Sequence, residues 1–276
     1  ILGDLFDRGP GAQIILDTLL GFDNVDFQWG THDICWMGAA SGSLACIASV
    51  VRISAKYGNF STIENGYGIN LLPLAKFALD TYAGDPCNCF AINGSQRYEP
   101  YDPDMDRKIH KAITIILFKL EGQLTRRHPE YGMEGRRLLD KIDREKGTVT
   151  IDGKAYPLED TNFPTIDPAD PYKLSAGEAL VMEKLRYAFV NSEKLRRHVA
   201  YLFTRGSMYR VCTGNLLYHG WVPLEEDGSF KKVRVGDKLY AGRALFEELE
   251  SWARKGYYLP DGEEKQFGQD TMWFLW

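Results

Sequence analysis

Val25-Asp26-Phe27-Gln28-Trp29 alternates apolar with polar, the rhythm of a strand with one buried face, and stops at Gly30. Ahead of it, Ile14, Ile15, Thr18 and Leu19 recur at three- and four-residue steps, which predicts a helix over 11–20 with those side chains facing inward. Ile1-Leu2 has the character of a strand end running into Gly3-Asp4. The opening therefore reads strand, loop, helix, strand, loop, helix. That is an α/β layout, and open sheets of this class gather polar residues at the carboxyl ends of their strands.

From 34 to about 206 the rhythm is helical. Asp102-Pro103 is a helix start, and Ile109, Ala112, Ile113, Ile116, Leu117 and Leu120 mark one apolar stripe behind it. Ser175 and Glu178 have capping-box spacing ahead of a helical pattern that runs toward Thr204, with a break near Asn191-Ser192. Asp152-Gly153 between two β-rich quartets predicts a small hairpin, and the proline-rich stretch 157–171 an ordered loop. Strand character returns at 208–212, 216–218 and 230–235, and a helix is expected over 241–255. A helical insertion over 36–206, inside an α/β core made of 1–35 and 207–276, explains this order better than two consecutive domains.

Composition narrows the function classes. The chain has 276 residues, of which 44% are hydrophobic and 13% aromatic, so it can bury a real core and is not a disordered segment. Lys+Arg 33 against Asp+Glu 38 gives a net charge of −5, which argues against a nucleic-acid partner but leaves room for a local phosphate pocket. The cysteines, Cys35, Cys46, Cys87, Cys89 and Cys212, are odd in number and lack CxxC spacing, which suits a reducing cytoplasm. Residues 34–51 carry no charge and include Gly38-x-x-x-Gly42, but they are rich in Ala, Ser and Gly and flanked by Asp33 and Arg52. A closely packed buried helix fits them better than a membrane span. The chain opens without Met and closes on Thr271-Met272-Trp273-Phe274-Leu275-Trp276, so both ends read as cuts through secondary structure and the chain as an internal fragment.

Chemistry concentrates at predicted strand ends. Gly3-Asp4-Leu5-Phe6-Asp7-Arg8-Gly9 packs two carboxylates, an arginine and two glycines into seven residues. Asp4 could bridge hard divalent cations, Asp7 could orient a histidine, and Arg8 offers a planar donor fork suited to phosphate oxygens. Gly3 and Gly9 would let backbone approach a ligand, although a capped turn uses the same residues. Gly30-Thr31-His32-Asp33 places a histidine able to protonate a leaving alkoxide beside an acid that can cap the next helix. His219, in Tyr218-His219-Gly220, has the chemistry of a metal ligand. His110, His128 and His198 lie in helical or basic contexts, and the clusters Arg126-Arg127 and Lys194 to His198 read as solvated helix faces, one of which could hold a second phosphate.

Taken together, GDLFDRG, GTHD and YHG resemble the second, third and fourth blocks of the calcineurin-like metallophosphoesterases. With the longer stretches GDLFDRGPGAQIILDTLL, VDFQWGTHDICWMGAASGS and NLLYHGWVPL, the chain is similar to the class III fructose-1,6-bisphosphatases of bacteria over nearly its whole length. The resemblance implies an α/β metallophosphoesterase β-sandwich flanked by helices, with a large helical insertion between the third and fourth blocks. It implies two divalent ions, manganese foremost, with Asp4 bridging them and His219 on the second. Arg8 would hold phosphate, and His32 would be the general acid, held by Asp7. The implied reaction, part of gluconeogenesis, is attack of a metal-bound hydroxide on the 1-phosphate of fructose 1,6-bisphosphate. The substrate is then a sugar bisphosphate, no membrane or nucleic-acid partner is called for, and homo-oligomer formation is left open.

The chain departs from the pattern where the third block has Asn: here Thr31 takes that ligand position. The first Asp-x-His block and the last histidine block are also not in the sequence, so three of six ligand positions are present and the isolated chain is not expected to turn over substrate. Two other readings compete, a phosphoprotein or dinucleotide polyphosphate phosphatase and a catalytically dead relative that acts as a binding module. A threonine hydroxyl is a poorer ligand for a hard cation than an amide oxygen, so Thr31→Asn is predicted to raise both metal affinity and turnover. Titration with Mn2+ and a phosphate-release assay check this, and unchanged affinity and rate would contradict it.

Overall fold

The computed structural model describes residues 1–92 and 102–276. Elements form where the local signals are strongest. After α1 (Ala12–Leu19) and the two-residue strand β1 (Phe27–Gln28), α2 (Thr31–Ala40) and α3 (Leu44–Tyr57) occupy the charge-free segment as two helices rather than one. Gly42, at φ 95°, ends the first of them, and the Ser41 hydroxyl donates back to the Gly38 carbonyl at 2.7 Å. Then come α4 (Leu72–Thr81) and α5 (Pro103–Arg127), the latter capped by Asp102, whose carboxylate accepts from the N–H groups of Asp104 and Met105. The strands β2 (Ile142–Asp143), β3 (Thr148–Ile151) and β4 (Lys154–Pro157) form an antiparallel sheet that turns at Asp152-Gly153, both in the left-handed region.

The capping box at Ser175 and Glu178 opens α6 (Ala176–Asn191), and Ser192 caps α7 (Glu193–Arg205) where a break was expected. Beyond β5 (Gly206–Ser207), β6 (Tyr209–Cys212) pairs with β7 (Asn215–Tyr218), and β8 (Val233–Val235) with β9 (Lys238–Tyr240), each pair antiparallel. Two helices, α8 (Gly242–Tyr258) and α9 (Glu263–Leu275), end the chain. The result is mixed α/β. The described strands pair only in twos and threes, so these residues do not by themselves assemble the larger sheets of the expected sandwich. Among the described residues no helix is long and apolar enough to cross a membrane, and the five cysteines form no disulfide.

The chain divides into two compact units, Ile1–Ile47 with Phe189–Trp276, and Ala48–Ala188. In the first, β1 pairs in parallel with β5, and Ile1 lies on the other side of β1 through Gln28 N–H to Ile1 C=O at 2.9 Å. Ile1-Leu2 is thus hydrogen-bonded beside the strand but too short to form a ladder of its own. α2 is buried almost throughout, and a Cβ on Gly38 would stand 2.5 Å from Cys46 Sγ and 3.3 Å from Met272 Cβ. Gly38 therefore serves close helix packing. α1 corrects the periodicity reading. Its buried residues are Ala12 and Leu16, whereas Ile14 and Ile15 are 64% and 46% exposed.

In the second unit α5 is the central rod. The stripe from Ile109 to Leu120 is buried, and so are Lys111 and Lys119, whose side chains are fully covered. Lys111 Nζ lies 2.5 Å from Asp85 Oδ2 and 2.6 Å from Asp160 Oδ2, and 4.9 Å from the centre of the Tyr82 ring. Lys119 Nζ donates to Glu178 at 2.7 Å and to the Thr165 carbonyl at 2.6 Å. Two ammonium groups on one helix face thus tether the proline-rich loop, alongside the packing of its Ile166 and Phe163.

Burial pushes the Asp85 carboxyl up, but hydrogen bonds from the Lys111 ammonium, the Cys87 N–H and the Asn162 amide outweigh it and hold the group at about 2. A carboxyl held below its usual value stabilises the fold above about pH 4 and loses that contribution as pH falls toward 2. Lys111→Ala leaves two buried carboxylates without their cation, so urea unfolding at pH 7 should show a loss of about 3–5 kcal/mol. The stability of the variant should also fall less steeply than wild type between pH 4 and 2; identical curves would contradict the assignment.

Candidate active site

The site grows from one buried carboxylate. Asp33 sits in the first turn of α2 and is fully buried. Its Oδ2 accepts the Gly30 N–H at 2.9 Å, which satisfies a helix-start donor, and also the Asp4 N–H at 2.6 Å; its Oδ1 accepts the Phe6 N–H at 3.3 Å. Burial pushes the Asp33 carboxyl up to about 7, against the pull of the Gly30, Asp4 and Phe6 N–H groups. The two motif loops are thereby tied at one point. They touch so closely that a Cβ on Gly30 would lie 2.2 Å from Asp4 Oδ1, and one on Gly3 would lie 2.3 Å from the Gly30 nitrogen. Asp4 itself takes a left-handed backbone conformation at φ 57°, and its Oδ1 accepts the His32 N–H at 3.0 Å. Phe6, the next inward-facing residue, stacks on Trp36 with ring centroids 4.6 Å apart.

This knot brings His32, Asp7 and Arg8 together. His32 Nε2 is 2.9 Å from Asp7 Oδ1, and Arg8 Nε is 3.2 Å from the same oxygen. The imidazole is 12% exposed, whereas the side chains of Asp7 and Arg8 are 42% and 60% exposed. Two short ion-pair contacts on one oxygen thus lead from a sheltered ring to an accessible guanidinium. Burial lowers the His32 pKa, and the nearby Asp7 and Asp4 carboxylates act in the opposite sense. Trp276 stands edge-on to the His32 ring at 4.7 Å, a neighbour with no signal in the sequence. Gly9 has no such close approach, since a Cβ there would meet nothing nearer than 3.9 Å.

His219 reaches the same place from the end of β7. Its Nε2 lies 3.1 Å from Asp4 Oδ2, and its Nδ1 is hydrogen-bonded to the Leu2 carbonyl. The Leu2 carbonyl fixes the ring through Nδ1 and leaves Nε2 as the nitrogen that faces Asp4. Thr31 is the first residue of α2, next to His32. Asp4 and His219 thus form one corner of a cation site. Among the described residues, however, no group of three or more His, Cys, Asp or Glu could hold a metal ion. Hard divalent cations of this class take about six ligands, so the residues present do not fit a complete two-metal centre.

The remaining histidines serve structure. His110 Nδ1 bonds the Phe90 carbonyl at 2.9 Å and His128 Nδ1 bonds Glu130 at 2.8 Å. In the cluster from Lys194 to His198, Arg196 and Arg197 are exposed as expected, but His198 is fully buried, and Lys194, Arg197 and His198 all converge on Asp17. Arg126 and Arg127 are exposed, as read.

Comparison with known proteins adds a family to this geometry. The family described as Firmicute fructose-1,6-bisphosphatase matches residues 1–276. The chain is 56% identical over 280 residues to a fructose-1,6-bisphosphatase class 3 of Bacteroides fragilis, 53% to that of Bacteroides thetaiotaomicron and 52% to that of Clostridium novyi. Each of these similarities covers 100% of this chain and 42% of the relative, so the chain spans less than half the length of the curated relatives it matches. No solved structure matches it.

Proposed function

The chain belongs to the Firmicute fructose-1,6-bisphosphatase family, and from that premise we propose that the protein hydrolyses the 1-phosphate of fructose 1,6-bisphosphate. In this reading, 1–35 and 207–276 belong to a calcineurin-like metallophosphoesterase core and 36–206 is its mainly helical insertion. The oxygen of water bonds to phosphorus as the bond from phosphorus to the C1 oxygen breaks, releasing inorganic phosphate. A sugar alkoxide leaves poorly, so the breaking bond needs a proton, and His32 is the group that gives it. With Nε2 engaged by Asp7, Nδ1 is left to donate. Arg8, at the open end of the chain, binds the phosphate oxygens.

A single observation supports the reading most strongly: Asp7 Oδ1 is 2.9 Å from His32 Nε2 and 3.2 Å from Arg8 Nε. An acid, its orienting carboxylate and an anion-binding fork are thereby linked through one oxygen. A bound phosphate adds negative charge near the imidazole and works in the same sense as Asp7 and Asp4, toward the protonated form a general acid requires. Two divalent ions, manganese foremost, belong to this reading as resident cofactors, with Asp4 and His219 as donors and Thr31 in the altered position. Five thiols without a disulfide suit the cytoplasm of a gluconeogenic cell. The two-donor cation corner also favours a second reading, a binding module that does not turn over.

Phosphate release by the whole protein tests both readings. With fructose 1,6-bisphosphate, His32→Ala should lower kcat by about 10²- to 10⁴-fold. With p-nitrophenyl phosphate, whose leaving group needs no proton, the loss should stay below about tenfold. Equal losses on both substrates would contradict the general-acid role, and a wild-type protein that releases no phosphate would favour the binding module.

A further inference from the structure

We propose that Asp17 is a positioning residue for this reaction: by clasping α7 it holds α1, and α1 holds the loop that aims Asp7 at His32. The inference rests on the reading of Asp7 and His32 given above.

The clasp is built from one carboxylate and one helix face. Lys194, Arg197 and His198 are spaced so that they share a side of α7. Lys194 Nζ lies 2.7 Å from Asp17 Oδ2, while Arg197 Nη2 and His198 Nε2 lie 2.9 and 3.0 Å from Oδ1. The His198 side chain is fully buried, so its ring cannot turn to water for a substitute partner. The hydrogen bond from Lys194 is the strongest of the influences that hold the Asp17 carboxyl at about 2, so it stays ionised at neutral pH.

α1 depends on this attachment because it has little else. It is 8 residues long and buries only Ala12 and Leu16, with its isoleucines turned outward. Helices of that length are marginal by themselves and take their stability from packing. The loop before α1 is held at each end, and within it the Asp7 N–H donates to the Asp4 carbonyl at 3.3 Å and the Gly9 N–H to the Asp7 carbonyl. Phe6 is fixed by Asp33 and by its stack on Trp36. At the far end the chain enters α1 at Ala12, and between these anchors Asp7 and Arg8 are partly or largely exposed. Releasing α1 frees the far end, and the slack passes through Arg8 to the Asp7–His32 contact.

The whole protein carrying Asp17→Asn, Asp17→Glu and Asp7→Ala, singly and as the Asp17→Asn/Asp7→Ala pair, tests the clasp. Asp17→Asn should lower kcat on fructose 1,6-bisphosphate about tenfold with KM within about twofold, since small misplacements of reacting groups cost this much or more. Asp17→Glu should recover most of the loss. In the Asp7→Ala background, Asp17→Asn should change kcat by less than about twofold, because the group it positions is gone. A crystal structure of Asp17→Asn should show Asp7 and His32 beyond hydrogen-bond distance. If Asp17→Asn does not fold, Lys194→Met removes one partner only and should give about a threefold lower kcat that is again silent on Asp7→Ala. Undiminished kcat with the Asp7–His32 contact intact, or a penalty that persists in Asp7→Ala, overturns the inference. If the wild type does not turn over fructose 1,6-bisphosphate, the proposed function fails instead, and the crystal comparison decides the clasp by itself.

Discussion

The Asp33 carboxylate, with no exposure to water, accepts hydrogen bonds from Gly30, Asp4 and Phe6 and so joins two loops that are far apart in sequence. Every feature of the site follows from that junction. Asp4 takes its left-handed backbone there, with one oxygen toward the His32 N–H and the other toward His219. Phe6 is drawn inward onto Trp36, which leaves the next residues, Asp7 and Arg8, facing out toward His32 and solvent. The requirement that buried backbone N–H groups find acceptors makes the arrangement hard to rearrange piecemeal. Removing the acceptor would expose donors on both loops at once.

The same economy recurs elsewhere in the chain. Where an element has little apolar surface, charged contacts, one of them partly exposed and the others buried, help to hold it. Asp17 secures the short α1 to α7, and Lys111 and Lys119 secure the proline-rich loop to α5. Such pairs add little net stability compared with apolar packing, but they are specific, because a lost partner strands a charge in a place without water. They fix where a loop goes more than how tightly the molecule is folded.

Much of this was legible in the sequence, and the pattern of success has a physical cause. Signals that act over a few residues were readable: the Asp102 cap, the Ser175–Glu178 box, the break at Ser192 and the turn at Asp152-Gly153. Motif order together with family resemblance picked out Asp4, Asp7, Arg8, His32 and His219, all of which lie in one linked cluster. What escaped was set by distant partners. Asp33 was readable as a helix-start acid, but its hold on Asp4 and Phe6 was not. Ile14 and Ile15 marked a helix correctly and its buried face wrongly, because Ala12 and Leu16, not the isoleucines, form the side that turns inward. Lys111, Lys119 and His198 look solvent-facing by residue type, and only Asp85, Asp160, Glu178 and Asp17 explain their burial. The charge-free segment became two helices at Gly42, a turn that an apolar run conceals.

Asp33 ties the two motif loops together through backbone donors. Amide hydrogen exchange of the folded protein, read residue by residue, measures those donors directly. The N–H groups of Asp4, Phe6 and Gly30 are predicted to exchange as slowly as the interior of α2, although none of them lies within a helix or ladder. Exchange of Asp4 and Phe6 at the rate of an open loop, with α2 still protected, would contradict it.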